Sequence, residues 1–293
     1  MRLLILGGTG QIGTELRTLA LLQGVEFVAP TRSVVDLEDR AAIARVIAAE
    51  PWSAVVNAAG YTSVDRVESE ESVAFAVNAK AAGYLAAETA ERRIPFIHIS
   101  TDYVFDGRKG APYVEGDITA PLNAYGRSKL AGEHAVLAAN PRHIILRTAW
   151  VYSPHGRNFV RTILRLAEER DRLTVVTDQH GCPTSARDIA KACLDIALRC
   201  AAEPEGAPYG LYHFTGAGEA SWFEFATAIV EAAADRLSRS PEVLPILTVD
   251  YPTPAVRPTD TRLDCTAIVR NFRFTLRPWR SALAETIDRL LTS

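Results

Sequence analysis

The chain has 293 residues, 48% of them hydrophobic and 23% charged, with a formal net charge of -3. That balance supplies a sizeable core and no strongly basic surface, so it argues against nucleic acid as a partner. No apolar run approaches the roughly 20 residues of a membrane span, and the apolar stretch "LLIL" is too short for a signal peptide, so no membrane partner and a cytoplasmic location are expected. The four cysteines, Cys182, Cys193, Cys200 and Cys265, have no CxxC spacing and read as small reduced thiols.

Short β-rich runs alternate with helical patterns along the first half. Residues 3–6, 25–29, 54–57, 96–99 and 144–146 read as buried strands, and residues 14–22, 41–49, 73–90 and 130–138 as the helices between them. Alternation of this kind predicts an α/β fold, a Rossmann-type doubly wound parallel sheet with right-handed crossovers covering both faces. Beyond about residue 150 the pattern loosens. Helices expected at 159–167, 188–198, 223–233 and 283–290 are joined by proline-bearing loops such as "YPTPAVRP". The expected division is a core over residues 1–150 and a smaller, mixed C-terminal lobe over 151–293, some of whose segments return to the core.

The stretch "LLILGGTGQIG" concentrates the first chemical signal. Gly8, Gly10 and Gly13 fit G-x-G-x-x-G, and Gly7, Gly10 and Gly13 fit G-x-x-G-x-x-G, between the first strand and the first helix. Without Cβ atoms the chain turns tightly, a pyrophosphate reaches the free N–H groups of the helix, and the helix packs on the sheet. A dinucleotide is the expected occupant, which makes residues 1–150 an NAD(P)-binding core. At the end of the second strand stand Pro30, Thr31 and Arg32. An NAD-selective chain carries an acid there, whereas an arginine pairs a 2'-phosphate, so NADPH is favoured with NADH as the alternative. Asp36 and Leu37 follow; Asp36 suits a contact to the adenine amino group and equally suits the cap of a helix starting near Glu38.

"VVNAAGYTSVD", "IHISTDYVFDG" and "NAYGRSKLAGE" come next. Tyr125 and Lys129 are four apart, so on a helix they share a face. A cation about 5 Å from a phenol, at an effective dielectric of about 20, favours the phenolate by roughly 3 kcal/mol, or about two pKa units. Such a tyrosine donates a proton and survives as phenolate. Ser100 and Thr101 compete for the hydroxyl beside it, since adjacent strand residues point to opposite sides.

In these motifs the sequence resembles the extended short-chain dehydrogenases/reductases, and more closely the dTDP-4-dehydrorhamnose reductase family. "GGTGQIG" and "PLNAYGRSKLAGE" are common to the superfamily; "STDYVFDG", "RTAWVYS" and "DQHGCPT" are much more specific, and "GLYHFTG" and "YPTPAVRPTDTRLD" extend the likeness over nearly the whole chain. The resemblance implies hydride delivery from NADPH or NADH to C4 of a dTDP-4-dehydro sugar, with protonation of the C4 oxygen. It assigns Tyr125 as proton donor, Lys129 as the residue that lowers its pKa and holds the nicotinamide ribose, and Thr101 as the hydroxyl that orients the ketone. Asp102, Trp150 and Arg257 become substrate contacts, Arg257 toward the diphosphate. Gly10, Gln11 and Ile12 are assigned to the pyrophosphate, and Asp36, Leu37, Gly60, Tyr61 and Thr62 to the rest of the cofactor.

The chain departs from the family in its acids. Magnesium is associated with the family through acidic residues between subunits; Glu15 offers one, but "TSARDIA" offers only Asp188, so no metal site is assigned and the expected state is monomer or homodimer. His180 and Cys182 form an H-x-C pair with no further ligand nearby. A nucleotide-sugar epimerase or dehydratase shares fold, cofactor and Tyr/Lys pair, but dehydratases carry an acid after the Thr-Asp pair and here Tyr103 stands there. A non-catalytic NADP-binding regulatory subunit is the other alternative, against which the intact Thr101, Tyr125, Lys129 and Trp150 argue.

Overall fold

In the computed structural model, which describes residues 1–292, β1 (Arg2–Leu6) sends Leu3 and Ile5 into one hydrophobic layer and Leu4 and Leu6 into another. The period of two is what a strand covered on both faces requires. The chain continues through α1 (Gln11–Leu22), β2 (Glu26–Val28), α2 (Arg40–Ala48), β3 (Ala54–Asn57), the short α3 (Val64–Val67) and α4 (Glu71–Phe75). A π-helical turn at Ala76–Lys80 leads into α5 (Ala81–Glu91), β4 (Phe96–Thr101), a 3-10 turn at Asp102–Val104, α6 (Ala124–Ala139) and β5 (His143–Thr148). Next come β6 (Val151–Tyr152), α7 (Phe159–Glu169), β7 (Arg172–Val176), β8 (His180–Gly181), β9 (Thr184–Ser185) and α8 (Ala186–Ala202). The chain closes with β10 (Gly210–His213), β11 (Ala220–Ser221), α9 (Trp222–Ala233), β12 (Glu242–Ile246), α10 (Thr266–Phe272) and α11 (Trp279–Leu291).

The main sheet runs β2-β1-β3-β4-β5-β10, with every neighbouring pair parallel. Strand order reverses at β1, which has β2 on one side and β3 on the other, so a crevice opens above their carboxyl ends. α1 and α8 cover the face holding Leu3, Ile5, Val56 and Ile97; α2 and α5 cover the face holding Leu4, Val55 and Phe96. The sixth strand, β10, and the covering helix α8 both come from beyond residue 150. α7, α9 and α11 form a separate core around Tyr152, Phe225, Ile229 and Leu283. No helix of the described residues is long and apolar enough to cross a membrane.

Two helices of the first half depart most from the sequence expectation. The helix expected over 73–90 is interrupted by the π turn, because the buried Asn78 in it is committed elsewhere: its side chain accepts from the Tyr61 N–H at 2.8 Å and donates to the Tyr61 carbonyl at 3.0 Å. α6 starts at residue 124 rather than 130, capped by Asn123, whose side chain accepts from the Gly126 N–H at 2.8 Å. Its first turns carry Tyr125, Gly126, Ser128 and Lys129, small or polar residues without an apolar period, so the pattern is hidden where the helix faces the site.

Gly132 lets α6 lie against the π turn. A Cβ at this position would come within 2.1 Å of the Asn78 carbonyl oxygen, a backbone atom that cannot move aside. Gly132→Ala is expected to destabilise the fold by about 1–3 kcal/mol, the usual cost of overpacking, read as a lowered urea midpoint at unchanged slope.

Candidate active site

A groove of about 300 Å³ lies at the point where the strand order reverses. Its walls include Gly7, Gly10, Arg32, Asp36, Leu37, Gly60 and Tyr61, all expected to meet a cofactor. Gln11, Ile12, Gly13 and Thr62 are not among its lining residues. The Ile12 side chain packs into the core, and Gln11 accepts from Ser153 Oγ at 2.9 Å and Asn158 Nδ2 at 3.0 Å, tying the glycine turn to the loop after β6. Thr62 is exposed, its carbonyl accepting from the Val64 N–H at 2.9 Å. Of the two places open to Asp36, the helix cap is taken by Asp39, which accepts from Ala41 N–H at 2.8 Å. Arg32 pairs with Glu38 at 2.8 Å across an exposed rim.

The turn fits a dinucleotide. Gly7 sits at φ +77°, and a Cβ there would come within 2.5 Å of the Ala59 nitrogen; at Gly13 it would come within 2.2 Å of the Gly7 carbonyl oxygen. α1 opens on Gly10, and no side chain of the described residues caps it. Its first-turn N–H groups therefore have no side-chain cap, and Gly10, which precedes them, lines the groove; an uncapped helix start is the arrangement that holds a phosphate.

Thr101 ends β4, and Tyr125 and Lys129 occupy the first turns of α6. The strand alternation settles which hydroxyl faces the phenol. Ser100 donates to Glu133 Oε1 at 2.5 Å, inside the protein, whereas Thr101 is the hydroxyl that acts on the Tyr125 phenol, holding back the rise of its pKa, and it donates to Asp102 Oδ1 at 3.1 Å. Asp102 also accepts from Thr261 Oγ1 at 2.6 Å; burial pushes its carboxyl up to about 6 against those bonds. Tyr103, in the position an acid would take in a dehydratase, packs edge-on against Tyr125 with ring centroids 5.8 Å apart.

The electrostatics of the pair differ from the spacing argument. Burial raises Tyr125 to about 12, with the Thr101 hydrogen bond pulling it back and the Asp102 charge adding to the rise. Lys129 does not lower it: the ammonium donates to the Ile99 carbonyl at 2.6 Å, and burial brings its own pKa down to about 8. A spacing of four places the two on a shared face, but loss of water around each group sets its pKa, and neither shift carries a contribution from the other.

Trp150 follows β5 at φ +45°, a backbone region that bulky residues rarely enter. Its indole stacks on Trp222 with centroids 3.5 Å apart and planes within 5°, and it presses on Gly181, where a Cβ would come within 2.5 Å of the ring. Arg257 is clamped by Asp65 through bonds of 3.0 and 2.8 Å, which holds that carboxyl below its ordinary range. Its charge reaches Tyr103, so the clamp sits beside the aromatic pair.

Glu15 is wholly buried and already partnered by Arg289 at 2.8 Å, Arg187 at 3.3 Å and the His155 ring at 3.1 Å. Asp188 pairs with Arg277 at 3.0 Å. Among the described residues no group of three His, Cys, Asp or Glu side chains is placed to hold a metal ion. The four cysteines are free and buried.

Three contributors escaped the sequence reading. Asn78 joins the Tyr61 backbone to Ser128, whose hydroxyl it meets at 2.9 Å, and Ser128 donates to the Tyr125 carbonyl at 2.8 Å. Thr261 orients Asp102 from 159 positions away in sequence. Glu133 closes the motif "YGRSKLAGE", where it looks like an ordinary helix-surface acid until the fold buries it.

The sequence profile of the RmlD substrate binding domain matches residues 1–292. The chain is 44% identical over 291 residues to the dTDP-4-dehydrorhamnose reductase of Sinorhizobium fredii, spanning 99% of this chain and 98% of the relative. The crystal structure of a dTDP-4-dehydrorhamnose reductase from Clostridium acetobutylicum superposes with a TM-score of 0.91 at 34% identity, covering 99% of each chain. That of the Bacillus anthracis dTDP-4-dehydrorhamnose reductase in complex with NADP superposes with a TM-score of 0.91 at 31% identity, covering 98% of this chain and 99% of the other.

Because the Gly181 backbone supports the indole, Gly181→Ala is expected to displace Trp150 and split the indole pair. Exciton coupling of stacked indoles in the near-ultraviolet circular dichroism reads this directly; an unchanged spectrum would mean that Gly181 does not set the ring's position.

Proposed function

The chain belongs to the RmlD substrate-binding family, and from that premise we infer that it reduces dTDP-4-dehydro-β-L-rhamnose to dTDP-β-L-rhamnose with NADPH or NADH, the last step of dTDP-L-rhamnose biosynthesis. The observation that carries this reading is the full-length likeness to reductases of that name. The convergence of Thr101, Tyr125 and Lys129 at the carboxyl ends of the strands supports it.

A reduced nicotinamide supplies the hydride. On this reading Gly10, Gln11 and the opening of α1 hold the pyrophosphate, Asp36, Leu37, Gly60, Tyr61 and Thr62 bind the remainder, and residues 151–293 mainly bind the sugar nucleotide. Tyr125, raised to about 12, is fully protonated at neutral pH and delivers its proton to the C4 oxygen as charge develops there. The Thr101 hydroxyl orients that oxygen and stabilises the phenolate left behind. Lys129 holds the nicotinamide ribose. Asp102 and Trp150 bound the sugar, and Arg257, held by Asp65, faces the diphosphate.

NADPH is the preferred donor on this reading. The Arg32 side chain is 74% exposed, and its rim pair with Glu38 is worth little in water, so it yields to a 2'-phosphate. Arg32→Ala should raise the KM for NADPH about tenfold, about 1.4 kcal/mol, with that for NADH unmoved, measured as absorbance at 340 nm with the dehydro sugar nucleotide generated in place. Tyr125→Phe should abolish turnover in the same assay while cofactor affinity by fluorescence titration stays near wild type; substantial residual turnover would remove Tyr125 as the acid. Since Lys129 loses its proton near pH 8, the wild-type rate should be sustained below that pH and decline above it.

A further inference from the structure

Three residues of α6 at intervals of four grip three consecutive residues of β4. Lys129 donates to the Ile99 carbonyl at 2.6 Å, Glu133 accepts from Ser100 Oγ at 2.5 Å, and Tyr125 is the phenol on which the Thr101 hydroxyl acts. Glu133 is wholly buried and also takes a two-point bond from Arg147, Nε at 2.9 Å and Nη2 at 2.7 Å. Arg147 stands opposite Ser100 on the β4–β5 ladder, and the next rung pairs Thr101 with Thr148. The carboxylate therefore sits where the catalytic helix, the strand carrying Thr101 and the neighbouring strand meet.

A buried ion pair gives no stability that two well-packed apolar side chains could not match. What distinguishes this one is its negative charge beside Lys129, where burial disfavours the ammonium. The other ionisable groups around that ammonium do not help it. His98 on β4 is held neutral by burial and by Lys129 itself, and His213 on β10, beyond Arg147, is held neutral by burial down to about 3. Tyr125 on the same helix stays protonated, and Arg147 is already spent on Glu133. Glu133 is the acid whose charge favours the ammonium.

We propose that Glu133 is a positioning residue for the reduction: it fixes the Ser100–Thr101 strand end against α6 and keeps Lys129 charged in its buried place. This rests on the functional reading above, and the test separates the two. The chain has four lysines, Lys80, Lys109, Lys129 and Lys191, so lysine labelled with carbon-13 at Cε gives a spectrum in which Lys129 titrates individually. In Glu133→Gln the Lys129 resonance should titrate at least about one pH unit lower than in the wild type, and the alkaline decline of kcat should move down with it while KM for the sugar nucleotide holds. Ser100→Ala keeps the charge and should lower kcat without moving the Lys129 titration. If Glu133→Gln fails to fold around an unpaired Arg147, the double variant Glu133→Met, Arg147→Met should move the Lys129 titration in the same direction. An unmoved titration in a folded variant overturns the electrostatic half of the proposal, and wild-type kcat in Ser100→Ala overturns the positioning half. The resonance needs no substrate, so a wild-type protein without turnover would overturn the functional reading and the positioning half with it, while the electrostatic half stands or falls on the titration alone.

Discussion

At the turn between β1 and α1, backbone lies directly on backbone. The Gly10 N–H bonds the Gly7 carbonyl at 2.9 Å, Gly13 presses on that same carbonyl, and Gly7 presses on the backbone that follows β3. With any side chain at Gly7 or Gly13 these contacts are impossible, and α1 could not start where the strand order reverses. The helix axis, the uncapped N–H groups and the groove beside them all follow from that single close approach. The second half of the chain depends on it too, because Gln11, the first residue of α1, anchors the Ser153–Asn158 loop.

One cause then governs the chemistry beyond the groove. Burial raises Asp102 to about 6 and Tyr125 to about 12, and lowers Lys129 to about 8. Each shift disfavours the charged form, as removal of water must. On the proposed reading this is the useful direction for a proton donor, because the Tyr125 phenol is protonated at neutral pH. On the same reading the Thr101 hydroxyl acquires its value when the phenolate forms, and the low dielectric that raised the phenol strengthens it at that moment.

The sheet was legible because each of its central strands carries a short, mostly apolar run, as a strand covered on both faces requires, and polar residues such as His98 and Arg147 are too few to disguise it. β10 was not, because "GLYH" is brief, begins with glycine and ends in a buried histidine, whose Nδ1 meets the Tyr113 carbonyl at 3.0 Å. The first turns of α6 were hidden for the opposite reason: their face serves Thr101 and the Asn78 clamp, so they carry tyrosine, glycine, serine and lysine where a core helix would carry leucine. Glycine spacing and the Tyr/Lys interval could be read because their geometry is local. The Asp65–Arg257 clamp, the Thr261–Asp102 bond and the partners of Glu15 join residues more than 130 positions apart, and local spacing holds no record of them.

The π turn at Ala76–Lys80 bears on how this helix tolerates insertion and deletion. Each residue added to or removed from an α-helix turns everything after it by about 100°. The wider turn takes up its extra residue locally, which leaves α5 free to set Leu85 and Ala86 against the sheet while Asn78 points the other way, toward Tyr61 and Ser128. Deleting one residue here would restore a regular helix at the cost of one of those two faces. The helix is therefore expected to accept changes of length at its exposed C-terminal end, after Glu91, and to reject them in the π turn.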